Sequence, residues 1–189
     1  MESPHVPPIF LMGLPGCGKT TLGRALAQAL GRQFIDLDHS IEARFFCSVS
    51  DFFSRYGEER FRSLEASILR EAGEMQDVIV ACGGGTPCFH GNMDYMLSRG
   101  ITVHLKASRR RLHERLCRRK DRRPHIRSLS DEEVYAYIDS VAETRAPFYD
   151  RSHITFDSSM LEDRSQIDIS VAHIIQILNT HPHNSHTLL

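Results

Sequence analysis

Lys19 stands in Gly13-Leu-Pro-Gly-Cys-Gly-Lys-Thr20, a run that fits the spacing G-x-x-x-x-G-K-[ST]. Glycines at 13, 16 and 18 let the backbone turn with positive φ and aim its N–H groups at phosphate oxygens, with Cys17 as a small neutral spacer. The helix expected to start near Gly18 adds the positive end of its dipole. Lys19 then reaches the outer phosphates, and the Thr20 hydroxyl can sit on Mg²⁺ with Thr21 beside it. The pattern implies a polyphosphate ligand held by Gly13, Gly16, Cys17, Gly18, Lys19, Thr20 and Thr21.

A second set of residues offers acid–base and anion-binding chemistry. Asp36 and Asp38 lie two apart at the end of Phe34-Ile-Asp-Leu-Asp38, so in a strand they share one face. The apolar run at 77–82 is followed by Gly83 rather than by an Asp that could hold a magnesium shell, which leaves that task to Asp36 or Asp38. Asp38 has a plainer alternative as the cap of a helix over 40–46. Gly83, Gly84 and Gly85 in succession are entropically unfavourable and fit a backbone closely approached by a ligand. Arg62 and Arg145 can grip a carboxylate or phosphate through two parallel hydrogen bonds. Each also has a plainer role, Arg62 as an ion pair with Glu65 one helical turn on, and Arg145 as a complement to a helix C-terminal dipole before Pro147. From Lys106 to Arg127 there are eleven Lys or Arg against two acids. Such a run can be a solvated face, a nucleic-acid site or a cover for a triphosphate, and it holds no Phe, Tyr or Trp to interleave with bases. Residues 121–130 lack helical periodicity, so a mobile lid over about 118–130 is expected.

The elements that must position these groups alternate along the chain. Short apolar runs before Gly13 and at 34–38, 77–82, 101–105 and 152–156 read as five strands. Helical spacing is expected over 21–30, ending at Gly31, and over 48–56, broken at Gly57 and resuming at 58–72. Further helices are expected at 92–97, 108–119, 130–146 and 167–178, the third opened by a capping box of Ser130 and Glu133. This order predicts an α/β fold of three layers, α/β/α, around a five-stranded parallel sheet.

Composition bounds the rest. The 189 residues suit a single domain over 1–178, followed by a polar, disordered tail at 179–189 containing His181, His183 and His186. A formal net charge of −1 gives no overall bias toward nucleic acid or membrane, and no run approaches the ~20 apolar residues of a membrane span. The first eight residues do not read as a signal peptide, so a cytoplasmic protein is expected, and a monomer in the absence of a long apolar surface helix. Five cysteines (17, 47, 82, 88 and 117) with no C-x-x-C pair argue against a disulfide framework or a zinc site.

Taken in order, Gly13-x-x-x-x-Gly-Lys-Thr20, Asp36-x-Asp38, Gly57-Glu-x-x-Phe-Arg-x-x-Glu65, Gly83-Gly-Gly85, Arg123-Pro124 and Arg145-x-x-x-Tyr149 resemble the shikimate kinases from Ile9 to about Leu178. The resemblance implies a P-loop NTPase fold like that of nucleoside monophosphate kinases, with a shikimate-binding subregion at about 37–72. It implies transfer of the ATP γ-phosphoryl to the 3-hydroxyl of shikimate, with Mg²⁺. By that resemblance Asp38 orients or deprotonates the attacking hydroxyl, Asp36 holds magnesium through water, and Lys19 and Arg123 act on the transferred group. Arg62 and Arg145 hold the shikimate carboxylate, Gly83, Gly84 and Gly85 line the ring, and Arg115 or Arg118 stacks on adenine. The sequence departs from the family pattern after Arg123-Pro124, where His125-Ile126-Arg127 replace two leucines and a glycine-containing loop, and at Cys82, where threonine is common. The rival readings are another small-molecule kinase, for gluconate or a nucleoside monophosphate, and a nucleotide-binding module without catalysis.

Overall fold

The computed structural model describes residues 6–120 and 124–181, with the side chains of 124 and 125 outside the description. Strands β1 (Ile9–Met12), β2 (Gln33–Asp36), β3 (Val78–Ala81), β4 (Ile101–Lys106) and β5 (Ile154–Asp157) form one sheet in the order β2-β3-β1-β4-β5. Every pairing is parallel, with Ile9 opposite both Ile79 and Ile101.

Alternation along β1 divides the core. Ile9 and Leu11 face one side, where they pack with Leu22 and Leu26 of α1 (Lys19–Leu30) and Leu112 and Leu116 of α5 (Arg109–Cys117). The same layer holds Val134 and Ile138 of α7 (Asp131–Tyr149) and Ile174 of α8 (Arg164–Thr180). Phe10 and Met12 face the other side, against Leu37 and Ile41 of α2 (Leu37–Phe45), Phe52 and Phe61 of α3 (Val49–Gly73) and Met96 of α4 (Asn92–Arg99). Because strand side chains alternate, a β1 that is buried on both faces must be covered by helices on both, and the three expected layers result.

Sequence features explain where the helices begin and bend. Ser48, Ser108, Ser130 and Asp163 each accept a backbone N–H at the start of α3, α5, α7 and α8, and Ser130 and Glu133 form the expected capping box. Helix α3 is broken at Gly57, whose φ of 79° and ψ of 168° are open to glycine almost alone. Several boundaries differ by a few residues from the sequence reading, and two of them bear on the site. Strand β2 stops at Asp36, which caps α2 by accepting from His39 N, so Asp38 lies in the first helical turn rather than at a strand end. Helix α7 runs past Ala146 to Tyr149 with Pro147 inside, because the carbonyl that loses its N–H partner, that of exposed Glu143, can be satisfied by water. Within 118–130, a short helix α6 (Pro124–Arg127) places Ile126 in the core, while Arg123 lies outside the described residues.

Candidate active site

In parallel strands the C-terminal ends share one edge of the sheet, and the loops leaving β1, β2 and β3 meet there. The loop after β1 is tightly constrained. A side chain at Gly13 (φ +145°) would collide with the Leu105 carbonyl oxygen, and one at Gly18 (φ +100°) with Leu161. Lys19 lies back across this loop, donating from Nζ to the carbonyl oxygens of Gly13 at 2.8 Å and Leu14 at 3.1 Å. An ammonium that bonds to two loop carbonyls is positioned to exchange them for phosphate oxygens. Cys17 is fully buried beneath it, with Sγ 3.6 Å from Nζ. Thr21 is exposed on the first turn of α1.

Thr20 and Asp36 come together as one unit. The Thr20 hydroxyl donates to Asp36 Oδ2 at 2.7 Å, while Asp36 Oδ1 caps α2. A hydroxyl and a carboxylate at a phosphate loop form an all-oxygen donor set, which fits a hard cation such as Mg²⁺.

Asp38 points toward the glycine loop after β3, where Oδ1 would sit 3.0 Å from a Cβ placed on Gly83. It remains exposed to solvent although protein atoms crowd around its carboxyl, and its pKa is pushed up to about 6 by burial first, then by Asp36 and Glu65, against an opposing pull from Lys19. Solvent screens these effects, so the direction of the shift carries the argument.

Two arginines close over the same loop. A Cβ on Gly84 would lie 2.6 Å from Arg145 Nη1, and one on Gly85 would lie 2.8 Å from Arg62 Nη2. The guanidinium groups occupy the volume a side chain would need, so any side chain at Gly84 or Gly85 would displace an arginine. The two arginines differ electrostatically. Arg62 is already compensated, donating to Glu65 Oε2 at 2.9 Å and to Glu58 Oε1 at 3.2 Å, with the Phe89 ring centroid 4.4 Å from its Cζ. Arg145 Nη1 is buried with no hydrogen-bond partner among the described residues. A buried, unpaired guanidinium N–H is costly unless an anion completes it.

The helix ion pair that sequence spacing suggested for Arg62 therefore exists, and it is also part of the site. Glu65 is completely buried and accepts from the Thr86 hydroxyl at 2.5 Å as well as from Arg62. Tyr149 donates from its hydroxyl to Gly84 O at 2.6 Å and holds the loop from α7. Thr86, Phe89 and Tyr149 have no role in the sequence reading, and Glu65 has one only as the ion-pair partner of Arg62. Glu65 and Tyr149 had periodic spacing to Arg62 and Arg145 as a signal, whereas Phe89 had none.

The two adenine candidates are also adjacent. Arg115 donates to Glu162 Oε1 at 2.9 Å, to the carbonyl oxygens of Gly16 at 3.3 Å and Ser158 at 3.1 Å, and to Ser159 O at 3.0 Å. Arg118 is 64% exposed and reaches Glu162 Oε2 at 2.8 Å. Both arginines hold the Glu162 carboxyl below its ordinary range, Arg118 more than Arg115. Among the described residues the structure thus groups the phosphate loop with Thr20 and Asp36, and Asp38 with Gly83, Gly84, Gly85, Arg62 and Arg145.

Comparison with known proteins agrees with this geometry. The family model described as shikimate kinase matches residues 15–179. A shikimate kinase of Bacteroides fragilis is 46% identical over 173 residues, covering 92% of this chain and 97% of that protein. One from Parabacteroides distasonis is 45% identical over 165 residues, covering 87% and 95%. The crystal structure of shikimate kinase from Bacteroides thetaiotaomicron superposes with a TM-score of 0.88 at 42% identity, covering 91% of this chain and 98% of that one. Shikimate kinase from Acinetobacter baumannii in complex with shikimate gives 0.81 at 30% identity, covering 94% and 96%. A gluconokinase from Sinorhizobium meliloti, at 18% identity and a TM-score of 0.52, shares the fold alone. With a phosphate loop, an acid and two arginines gathered at one sheet edge, and with the family model matching nearly the whole domain, this chain belongs to the shikimate kinase family.

Proposed function

We propose that the protein transfers the γ-phosphoryl group of ATP to the 3-hydroxyl of shikimate, giving shikimate 3-phosphate and ADP. The observation that carries this reading is the unpaired Arg145 Nη1 beside Gly84, within a cleft that also holds Asp38. A pocket with an unpaired guanidinium nitrogen for a carboxylate and a carboxylate for a hydroxyl suits a hydroxy acid. Arg145 supplies most of the carboxylate recognition, because Arg62 shares its charge with Glu58 and Glu65. Asp38 accepts the proton of the attacking hydroxyl or orients it, and the Gly83–Gly85 backbone lines the ring.

Gly13, Gly16, Cys17, Gly18, Thr20 and Thr21 form the cradle for the triphosphate, and Lys19 gives up its loop carbonyls to follow the transferred group. Thr20 and Asp36 would hold Mg²⁺, which when bound neutralises phosphate charge. Adenine lies against the Arg115–Glu162–Arg118 cluster, and Arg123 stabilises the phosphoryl group in flight. Residues 1–178 act as one kinase domain, with an acceptor subregion at 37–72 and a lid at 118–130. The protein works as a monomer in the cytoplasm, without nucleic-acid or membrane partners. No helix among the described residues is long and apolar enough to cross a membrane.

The regiochemistry is testable by ³¹P and ¹H NMR of the product formed from ATP, Mg²⁺ and shikimate. Three-bond coupling of phosphorus to the ring proton H3 is expected, and such coupling to H4 or H5 instead would overturn the placement of Asp38.

A further inference from the structure

On the helix that also carries Arg115 and Arg118, three metal-ligating side chains that the nucleotide and acceptor sites do not use converge where α5 ends and α7 begins. His113 and Cys117 are four residues apart on α5 and share one face of it, and Asp131 opens α7. Cys117 Sγ lies 3.5 Å from His113 Nε2, and Asp131 Oδ1 lies 3.9 Å from each of them. A tetrahedral ion with bonds of about 2.3 Å to sulfur and about 2.0 Å to nitrogen and oxygen needs ligand–ligand edges of about 3.3–3.6 Å. One edge already matches, and a small rotation of the Asp131 side chain closes the other two.

The surroundings favour the same geometry. The His113 ring is stacked on Tyr135 with centroids 3.9 Å apart and 7° between planes, which fixes where its nitrogens point. His113 is 12% exposed and Asp131 70%, with Cys117 half-buried, so the cluster is partly sheltered and has one side open to a water ligand. One sulfur, one nitrogen and one oxygen suit a borderline ion such as Zn²⁺ and do not suit Mg²⁺. Burial first and then Asp131 push the Cys117 thiol up, against a smaller pull from Lys120, whose amine donates to the Leu129 carbonyl oxygen, so the thiol is held neutral until an ion displaces its proton. A cysteine count based on C-x-x-C misses this arrangement, because its three ligands are of three residue types.

We propose that His113, Cys117 and Asp131 bind one divalent transition-metal ion of the Zn²⁺ class, with water as the fourth ligand, and so tie the end of α5 to the start of α7. Binding converts the Cys117 thiol to a metal thiolate and releases its proton to solvent. The ion plays no part in the proposed phosphoryl transfer.

The test is titration of the chelator-stripped full chain with Co²⁺ alone, followed by displacement with Zn²⁺. One equivalent should give the intense visible bands of tetrahedral cobalt together with a thiolate-to-cobalt charge-transfer band, with one proton released per ion. Cys117→Ser should abolish the charge-transfer band. His113→Gln and Asp131→Asn should each weaken binding by at least the ~10-fold typical of losing an outer-shell partner. Asp131 is the most exposed of the three, so its variant remains informative if either of the others fails to fold. A charge-transfer band that survives Cys117→Ser, an octahedral spectrum, or unchanged affinity in Asp131→Asn would overturn the site.

Discussion

Gly84→Ala is expected to disable the carboxylate clamp without removing any charged group. Gly84 is not among the positive-φ glycines, so its backbone accepts an L side chain, and its carbonyl can keep the hydrogen bond from Tyr149. The new Cβ, however, would lie 2.6 Å from Arg145 Nη1, whereas ordinary contact begins at 3.4 Å, leaving it about 0.8 Å too close. Pro15 Cδ at 3.3 Å and Gly13 O at 3.5 Å restrict the methyl from the loop side, so the guanidinium must move. Misaligning one charge-assisted hydrogen bond forfeits about 1.5–3 kcal/mol, or about 10- to 150-fold in kcat/KM for shikimate. A coupled ADP-release assay with shikimate and ATP varied separately measures this, and KM for ATP should stay within about twofold. Because both changes act through one side chain, Gly84→Ala in an Arg145→Ala background should add little further loss. An unchanged kcat/KM for shikimate, or an equally large loss in both backgrounds, would refute the reasoning.

Asp38, Glu65 and the Arg115–Arg118 pair give the further expected outcomes. Turnover should fall as pH drops through about 6, since Asp38 must be ionised to accept a proton, and Asp38→Asn should lose most of kcat with little change in KM for ATP. A carboxyl whose folded pKa is raised destabilises the fold once ionised, an effect absent below its unfolded pKa and complete above about 6. Asp38→Asn should therefore raise Tm at pH 8, with the difference shrinking toward pH 4, and a lowered Tm at pH 8 would contradict the burial argument. Glu65→Ala leaves Arg62 and Thr86 without their buried partner and should lower stability to urea by about 3 kcal/mol, whereas a loss under about 1 kcal/mol would make Glu65 incidental. Arg118→Ala should raise KM for ATP and leave Tm unchanged, while Arg115→Ala should lower Tm as well, because it removes the braces to Gly16, Ser158 and Ser159. If Arg118→Ala leaves KM for ATP unchanged, adenine rests on Arg115 alone.

The contrast between Gly57 and Asp38 shows which parts of this structure local sequence can specify. Gly57 interrupts a helical pattern at a position with no competing long-range demand, so the break in α3 is legible from spacing. Asp38 is different: the Asp36 carboxylate meets both the His39 N–H and the distant Thr20 hydroxyl, which ends β2 early and turns Asp38 into the first helical turn. The phosphate loop was legible because its positive φ angles demand glycine, and the glycine run because successive glycines signal close approach, although the groups that approach, Asp38, Glu65, Arg62 and Arg145, are set by the fold. The pairing of Arg62 with Glu65 was visible as spacing, but its burial against Thr86 across 21 residues was not. Nor was the contrast between an Arg62 compensated by two carboxylates and an Arg145 whose Nη1 is unpaired, which depends on partners brought together only by the fold. Phe89, which faces the Arg62 guanidinium from beyond the glycine loop, offers no periodic signal at all.

The central claim is that this cleft phosphorylates shikimate, and acceptor-dependent ADP release from ATP and Mg²⁺ tests it most directly. Shikimate, gluconate, AMP and no acceptor would be compared in the wild type and in Asp38→Asn, with one series lacking Mg²⁺. Rapid turnover with shikimate alone, dependent on Mg²⁺ and largely lost in Asp38→Asn, is the predicted result. Turnover with gluconate or AMP in place of shikimate, or ATP binding without turnover on any acceptor, would contradict the account.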